Sequence, residues 1–136
     1  MNDFIVLTIP SKKSYIRVAR SAMRNFLILN GSPDSVIVDM EIVLGEILAN
    51  VIQHTYKCNE TKKIIISYVI RGDSFSILVR DFGNPVDPAK LKPLPPDLEN
   101  PREGGYGLYI IHKVTDKFEV KTFNNGNLFI AEKNLG

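Results

Sequence analysis

Two pairs of alternating apolar runs, each folded about a turn signal, limit this chain more than any other feature. Residues 63 to 70 and 74 to 80 flank Arg71-Gly72-Asp73, and residues 117 to 123 and 128 to 132 flank Asn124-Asn125-Gly126. β-Branched alternation bounded by Gly with Asn or Asp is the signature of an antiparallel hairpin. A further short run, residues 4 to 9, stops at Pro10 and reads as another strand. Hairpins need no crossover helix, so they steer the chain away from a doubly wound parallel sheet.

The remaining apolar residues carry a helical period. Ile16, Ala19, Met23, Phe26 and Leu27 keep that spacing behind Ser11 or Ser14 as N-cap, and Gly31 ends the pattern. Ser32-Pro33-Asp34 restarts it, with Ser as N-cap, Pro in the first helical position and an acid in the first turn. This second helix is expected to reach about Tyr56, and a third, short one covers residues 108 to 111. Residues 84 to 103 hold six of the eight prolines, and no regular element fits them. A stretch this long without structure is a functional lid or a disordered segment. The order of elements predicts an α+β chain. It should form a two-layer α/β sandwich, with helices on one face of a mixed, mainly antiparallel sheet. Residues 1–136 form one domain, and 136 residues bury a core without disulfides or structural metal.

Composition excludes several function classes. A net charge of +2 without a long Lys/Arg run gives no reason to expect nucleic acid or a membrane surface as partner. No apolar run approaches the ~20 residues of a membrane span, and the N-terminus lacks the pattern of a signal peptide. The single cysteine, Cys58, forbids an internal disulfide and suits a reducing, cytoplasmic setting. No Cys/His cluster has zinc spacing.

Three short stretches can carry chemistry. In EILANVIQH, Glu46, Asn50 and His54 fall four residues apart, so their side chains form one drifting stripe on a helix. Glu46 and Asn50 border the apolar arc of Met40, Val43, Leu44, Ile47, Leu48 and Val51 instead of opposing it, which is where a cleft would open. An amide oxygen suits Mg²⁺, which borrows its other ligands from waters and phosphates. A carboxylate one turn away can take a hydroxyl proton. The same stripe also reads as an ordinary helix edge.

In RDFGNP, alternation with Ile77 and Val79 turns Asp81 towards the core, where a carboxylate needs hydrogen-bond donors. An exocyclic amine such as that of adenine is one source, and Gly83 would let the backbone approach a flat ring. A strand ending in an Asp turn gives the same letters. Gly104-Gly105-Tyr106-Gly107, opening a helix, offers free N–H groups and a positive dipole end to an anion, although flexible hinges look alike.

Taken in order, these stretches resemble a known family. Glu46-x-x-x-Asn50 is similar to the N box, Asp81-x-Gly83 to the first glycine box and Gly105-x-Gly107-Leu108 to the second. These boxes belong to the ATPase superfamily of gyrase, histidine kinases and mismatch-repair proteins. Within it, EILANVIQH and EGGYGLYII look like the bacterial anti-sigma-factor serine/threonine kinases. The resemblance covers roughly residues 10 to 132. It implies Glu46 as base, Asn50 as Mg²⁺ ligand, Asp81 as adenine contact and His54 near the phosphates. Gly83, Gly104, Gly105, Tyr106, Gly107 and Leu108 would complete the nucleotide site. Arg102 in the lid is a candidate partner for the γ-phosphate or a solvated charge.

Two positions depart from the family pattern. Pro85 stands for the second glycine of the first box, and Asn127 for a Thr that supports adenine.

The expected function is a Mg-ATP-dependent protein serine/threonine kinase. It would phosphorylate a small antagonist protein and/or sequester a sigma factor or similar regulator, as a homodimer in the cytoplasm. The alternatives are a non-catalytic nucleotide-binding interaction module and a detached histidine-kinase catalytic domain. Arg17, Arg20 and Arg24, beside the first helix's apolar stripe, read as an interface or as a solvated face.

Overall fold

A computed structural model describes residues 2–91 and 107–136. Strand β1 (Asn2–Pro10) is followed by helices α1 (Ile16–Leu29) and α2 (Asp34–Asn50). Strands β2 (Lys63–Arg71) and β3 (Ser74–Asp81) come next, and helix α3 (Gly107–Val114) leads to β4 (Lys117–Phe123) and β5 (Gly126–Asn134). The five strands form one sheet in the order β1-β2-β3-β5-β4. Every described pairing is antiparallel, so the sheet is not mixed as the sequence suggested.

Strands β2 and β3 alternate strictly. Along β3, Phe75, Ile77, Val79 and Asp81 are buried while Ser74, Ser76, Leu78 and Arg80 are half-buried. A one-residue slip would turn Arg80 inward and three large apolar side chains outward, at about 1.5–3 kcal/mol for each apolar side chain exposed. That penalty fixes the register that carries Asp81 inward.

Both long helices lie on the inner face. Met23 and Leu27 of α1 and Met40, Leu44 and Leu48 of α2 are fully buried. Tyr68 of β2 is also fully buried, and its hydroxyl donates to the Ala19 carbonyl at 2.7 Å. A buried phenol needs such a partner, and this one pins α1 to the sheet.

Several local expectations shift. Ser11 and Ser14 do not cap α1, whose N-cap is Tyr15. The Ser11 hydroxyl instead donates to the Asn59 carbonyl at 2.5 Å. Pro33, not Ser32, is the N-cap residue of α2; its carbonyl accepts from Val36 and Ile37, and the Ser32 hydroxyl caps nothing.

The second helix does reach Tyr56, but Val51–Thr55 widens into a π-turn. There the Tyr56 N–H donates to the Val51 carbonyl, five residues back, at 2.9 Å. The described start of the proline-rich stretch holds a short 3₁₀ turn, Pro88–Leu91, where no regular element was expected. Gly126 belongs to β5 and not to the turn before it, with φ +144°. A Cβ there would overlap the Asp81 carbonyl and the Arg80 side chain, so glycine is required where the hairpin crosses the end of β3.

Candidate functional site

A cleft of about 830 Å³ opens where the C-terminal part of α2, the segment after β3 and the N-terminus of α3 meet. From α2 and its π-turn it is lined by Glu46, Asn50 and His54. From the segment after β3 come Asn84, Pro85 and Val86, and from α3 come Gly107 and Leu108. All three stretches singled out in the sequence therefore contribute to one cavity.

The contact between α2 and α3 is close. A Cβ built on Gly107 would overlap the Glu46 carboxylate, with the carboxyl carbon only 2.8 Å away. Only glycine lets the start of α3 sit against that acid. The first N–H groups of α3 have no partner within the helix, so they and the dipole create an anion-binding end. Glu46 and Asn50 are half-buried and His54 is exposed at the rim. The π-turn lies between Asn50 and the end of the helix, a frequent placement at functional sites.

Asp81 is turned to the core, as alternation along β3 implies. It is fully buried and does not line the cleft; it lies beneath the wall formed by Asn84 and Val86. Its Oδ1 accepts from the Gly83 N–H at 3.0 Å and from Asn127 Nδ2 at 3.0 Å, and its Oδ2 accepts from the same Asn127 nitrogen at 3.3 Å. Desolvation raises the Asp81 pKa above the ordinary carboxylate value, and the Gly83 and Asn127 hydrogen bonds work against that rise.

Gly83 faces the π-turn, not the cavity. A Cβ there would overlap the Thr55 methyl group and come within 3.4 Å of Tyr56 Cε1. Its glycine serves the packing of the first glycine box against α2. Arg102, Gly104, Gly105 and Tyr106 lie outside the described residues.

Sequence reasoning missed two residues that build the site. Tyr56 is buried; its hydroxyl donates to the Lys63 carbonyl at 2.6 Å and accepts from the Phe82 N–H at 2.8 Å. It thus ties the end of α2 to both β2 and the first glycine box. No local signal marks it, because the π-turn decides where it points. Lys57 lines the cleft from a left-handed backbone position, φ +50°. Asn127 was noticed only as a departure, yet its strand register sets it directly opposite Asp81.

Outside the cleft, the Arg80 guanidinium lies 4.7 Å from the Phe82 ring centroid and 5.1 Å from that of Phe123. Its Nη2 donates to Asn125 Oδ1 at 3.0 Å, which holds the last hairpin against the first glycine box. Arg24 of α1 pairs with Glu41 of α2 at 2.6 Å, so it is not a free surface charge. His112 is exposed and packs edge-on to Phe118. Among the described residues no group of three or more His, Cys, Asp or Glu side chains could hold a metal. No described helix is long and apolar enough to cross a membrane.

Known proteins share this fold. The family model for the histidine kinase-like ATPase domain matches residues 9–133. A serine-protein kinase RsbW from Oceanobacillus iheyensis is 31% identical over 124 residues, which cover 87% of this chain and 78% of the relative. The RsbW of Bacillus subtilis is 26% identical over 135 residues, 95% of this chain and 83% of that one. Among solved structures, the RsbU and RsbW domains of Rv1364c from Mycobacterium tuberculosis superpose with a TM-score of 0.72 at 17% identity. That match covers 98% of this chain but 32% of the longer one. The SiaB–SiaC complex from Pseudomonas aeruginosa matches with a TM-score of 0.66 at 18% identity, covering 95% of this chain and 88% of that one. The chain belongs to the histidine kinase-like ATPase domain family, among the RsbW-type serine-protein kinases.

Proposed function

We propose that this chain is a Mg-ATP-dependent protein serine/threonine kinase whose substrate is a small antagonist protein. In this reading residues 1–136 form a single ATP-binding domain. The observation that carries it is the convergence of Glu46, Asn50 and Gly107 on one cleft, with Asp81 buried behind its wall and linked to it through Asn127. The relatives named serine-protein kinase, and a neighbour solved in complex with a second protein, support it.

In this reading the adenine amine is bound by the Asp81 carboxylate together with the wall at Asn84 and Val86. The triphosphate lies at the start of α3, on the N–H groups of Gly107 and Leu108. The motif adds Gly104, Gly105 and Tyr106 there, His54 beside the phosphates, and Arg102 at the γ-phosphate.

The donor set fits Mg²⁺. One amide oxygen, Asn50, faces the cleft beside a carboxylate, and this ion takes one or two protein oxygens plus phosphates and waters. When bound, Mg²⁺ supplies charge neutralisation of the phosphates. Glu46 takes the proton from the serine hydroxyl as its oxygen bonds to the γ-phosphorus. The bond from that phosphorus to the β–γ bridging oxygen breaks, and ADP leaves. Such a transfer depends mainly on positioning and electrostatics. The contact of the half-buried Glu46 with the start of α3 at Gly107 supports that role.

The same reading includes sequestration of a sigma factor or similar regulator, a cytoplasmic setting and a homodimer. Two exposed surfaces are available for self-association. One is α1, with Arg17 and Arg20; the other is the uncovered sheet face, where Phe4 is 70% and Val6 56% exposed. Sedimentation of Arg20→Glu and Phe4→Lys variants assigns the surface, and a parent chain that sediments as a monomer removes the dimer. The function is tested by incubation with labelled ATP and an antagonist protein. Acid-stable phosphoserine on the partner is expected. Acid-labile phosphate would make the chain a histidine-kinase catalytic domain, and binding without transfer a nucleotide-binding module.

A further inference from the structure

Among the described residues, the Asn127 side chain behind the wall of the cleft makes four hydrogen bonds. It is fully buried, and its Nδ2 donates to both Asp81 oxygens, at 3.0 and 3.3 Å, and to the Asn84 carbonyl at 2.9 Å. Its Oδ1 accepts from the Val86 N–H at 2.9 Å. An amide nitrogen has two hydrogens, so both donors are spent. Swapping the amide's nitrogen and oxygen would set oxygen against carboxylate and nitrogen against an N–H, so the network itself fixes the orientation.

The partners fall into two groups. Asp81 is the buried acid under the cleft, whereas Asn84 and Val86 form the wall above it. The strands bring them together: Asn127 sits opposite Asp81 in the β3–β5 register, and Asn84 and Val86 follow β3 by a few residues. One side chain therefore spans from the acid to two backbone groups of the wall.

We propose that Asn127 is a positioning residue that makes the Asp81 carboxylate and the wall at Asn84 and Val86 a single unit, and thereby sets how long a nucleotide stays bound. This rests on the nucleotide reading of the cleft. Few residues can replace Asn127. A Thr hydroxyl has one hydrogen and a shorter reach, so it serves the carboxylate or the wall but not both. An Asp would lose the donors and place a second carboxylate against the first, which one of the two cannot tolerate in charged form. The span needs a short side chain with two donors and an acceptor. Asn is the residue that has them.

Two variants test the link from its two ends. Asn127→Thr shortens the span, whereas Val86→Pro leaves Asn127 in place and removes the N–H that its oxygen accepts, exchanging the Val86 side chain for a proline ring. Release of a fluorescent N-methylanthraniloyl ATP is followed by stopped flow, alongside KM and kcat for phosphotransfer. Each variant is expected to release the analogue about tenfold faster than the parent. That corresponds to about 1.4 kcal/mol, near the top of the net range for one ordinary hydrogen bond. KM for ATP rises in parallel, and kcat stays within about threefold.

The double variant is expected to release no faster than Asn127→Thr alone, because both substitutions break one linkage. A general packing defect would instead add. Release rates within twofold of the parent, or additive effects, overturn this inference while the nucleotide reading stands. If Asn127→Thr fails to fold, the Val86→Pro rate decides by itself. A parent chain that binds no analogue overturns the nucleotide reading and this inference together.

Discussion

Replacing Gly107 by Ala perturbs the site at the point where its two halves touch. The new Cβ would lie 2.8 Å from the Glu46 carboxyl carbon, where ordinary contact begins at 3.4 Å. The carboxyl carbon must therefore retreat by at least about 0.6 Å, and its nearer oxygen by more. Only the end of a half-buried side chain has to move, so the fold absorbs the change cheaply. Ala also favours the helix by up to ~1 kcal/mol over Gly, so the melting temperature should stay within a few degrees.

The chemistry has no such tolerance. Misplacing a reacting group by ~1 Å costs on the order of a hundredfold in rate, so a retreat of about 0.6 Å or more should cost roughly ten- to a hundredfold in kcat. Nucleotide affinity, which does not depend on the base, should change less than about threefold. The assay pairs transfer of labelled γ-phosphate to an antagonist protein with calorimetric ATP binding and a thermal melt. A variant that transfers phosphate within twofold of the parent would refute the claim that Glu46 works from its contact with α3. A large loss of stability would refute the claim that the side chain yields freely.

Other outcomes follow from the same geometry. Glu46→Ala should keep nucleotide affinity while phosphotransfer falls by about 10²–10⁴-fold, measured by titration and by single turnover. Asp81→Asn removes the acceptor proposed for the adenine amine and should weaken ATP binding about ten- to a hundredfold, the value of a hydrogen bond to a charge. Acid should act on Asp81 in two opposite senses. Its folded pKa lies above the ordinary value. Between the two values the folded chain holds more protons than the unfolded one, and this group's contribution to stability grows as pH falls. Nucleotide affinity should drop across that same window, as the carboxylate loses its charge. Denaturant melts and titrations over the same pH series separate the two trends, and parallel trends would contradict the assignment. Tyr56→Phe removes the partner of the Phe82 N–H and of the Lys63 carbonyl, both part-buried bonds. It should cost about 1–3 kcal/mol in urea unfolding.

Much of this was legible from residue order alone. Hairpin signals at Gly72-Asp73 and Asn124-Asn125 gave the antiparallel sheet, because turn chemistry is local. The arc from Met40 to Val51 gave the buried face of α2, and its polar border gave the cleft. What stayed hidden depends on distant neighbours. The π-turn directs Tyr56 towards Lys63 and Phe82, and no property of residues 51–55 announces it. The burial of Asp81 followed from alternation. That Asn127 joins the Gly83 N–H as a donor to it followed only from the β3–β5 register. Gly83 was read as room for a ring, whereas its missing side chain makes room for Thr55. The helix starts went wrong at Ser32 because the Pro33 carbonyl, not the serine hydroxyl, meets the first N–H groups.

Calorimetric titration with ATP, with and without Mg²⁺, addresses the central claim most directly, run on the parent chain and on Asp81→Asn and Asn50→Ala. One site per chain is expected, weakened at Asp81→Asn under both conditions. At Asn50→Ala only the gain from Mg²⁺ should disappear. Absence of ATP binding by the parent, or binding that neither substitution alters, would contradict the convergence of α2, the end of β3 and the start of α3 on one nucleotide.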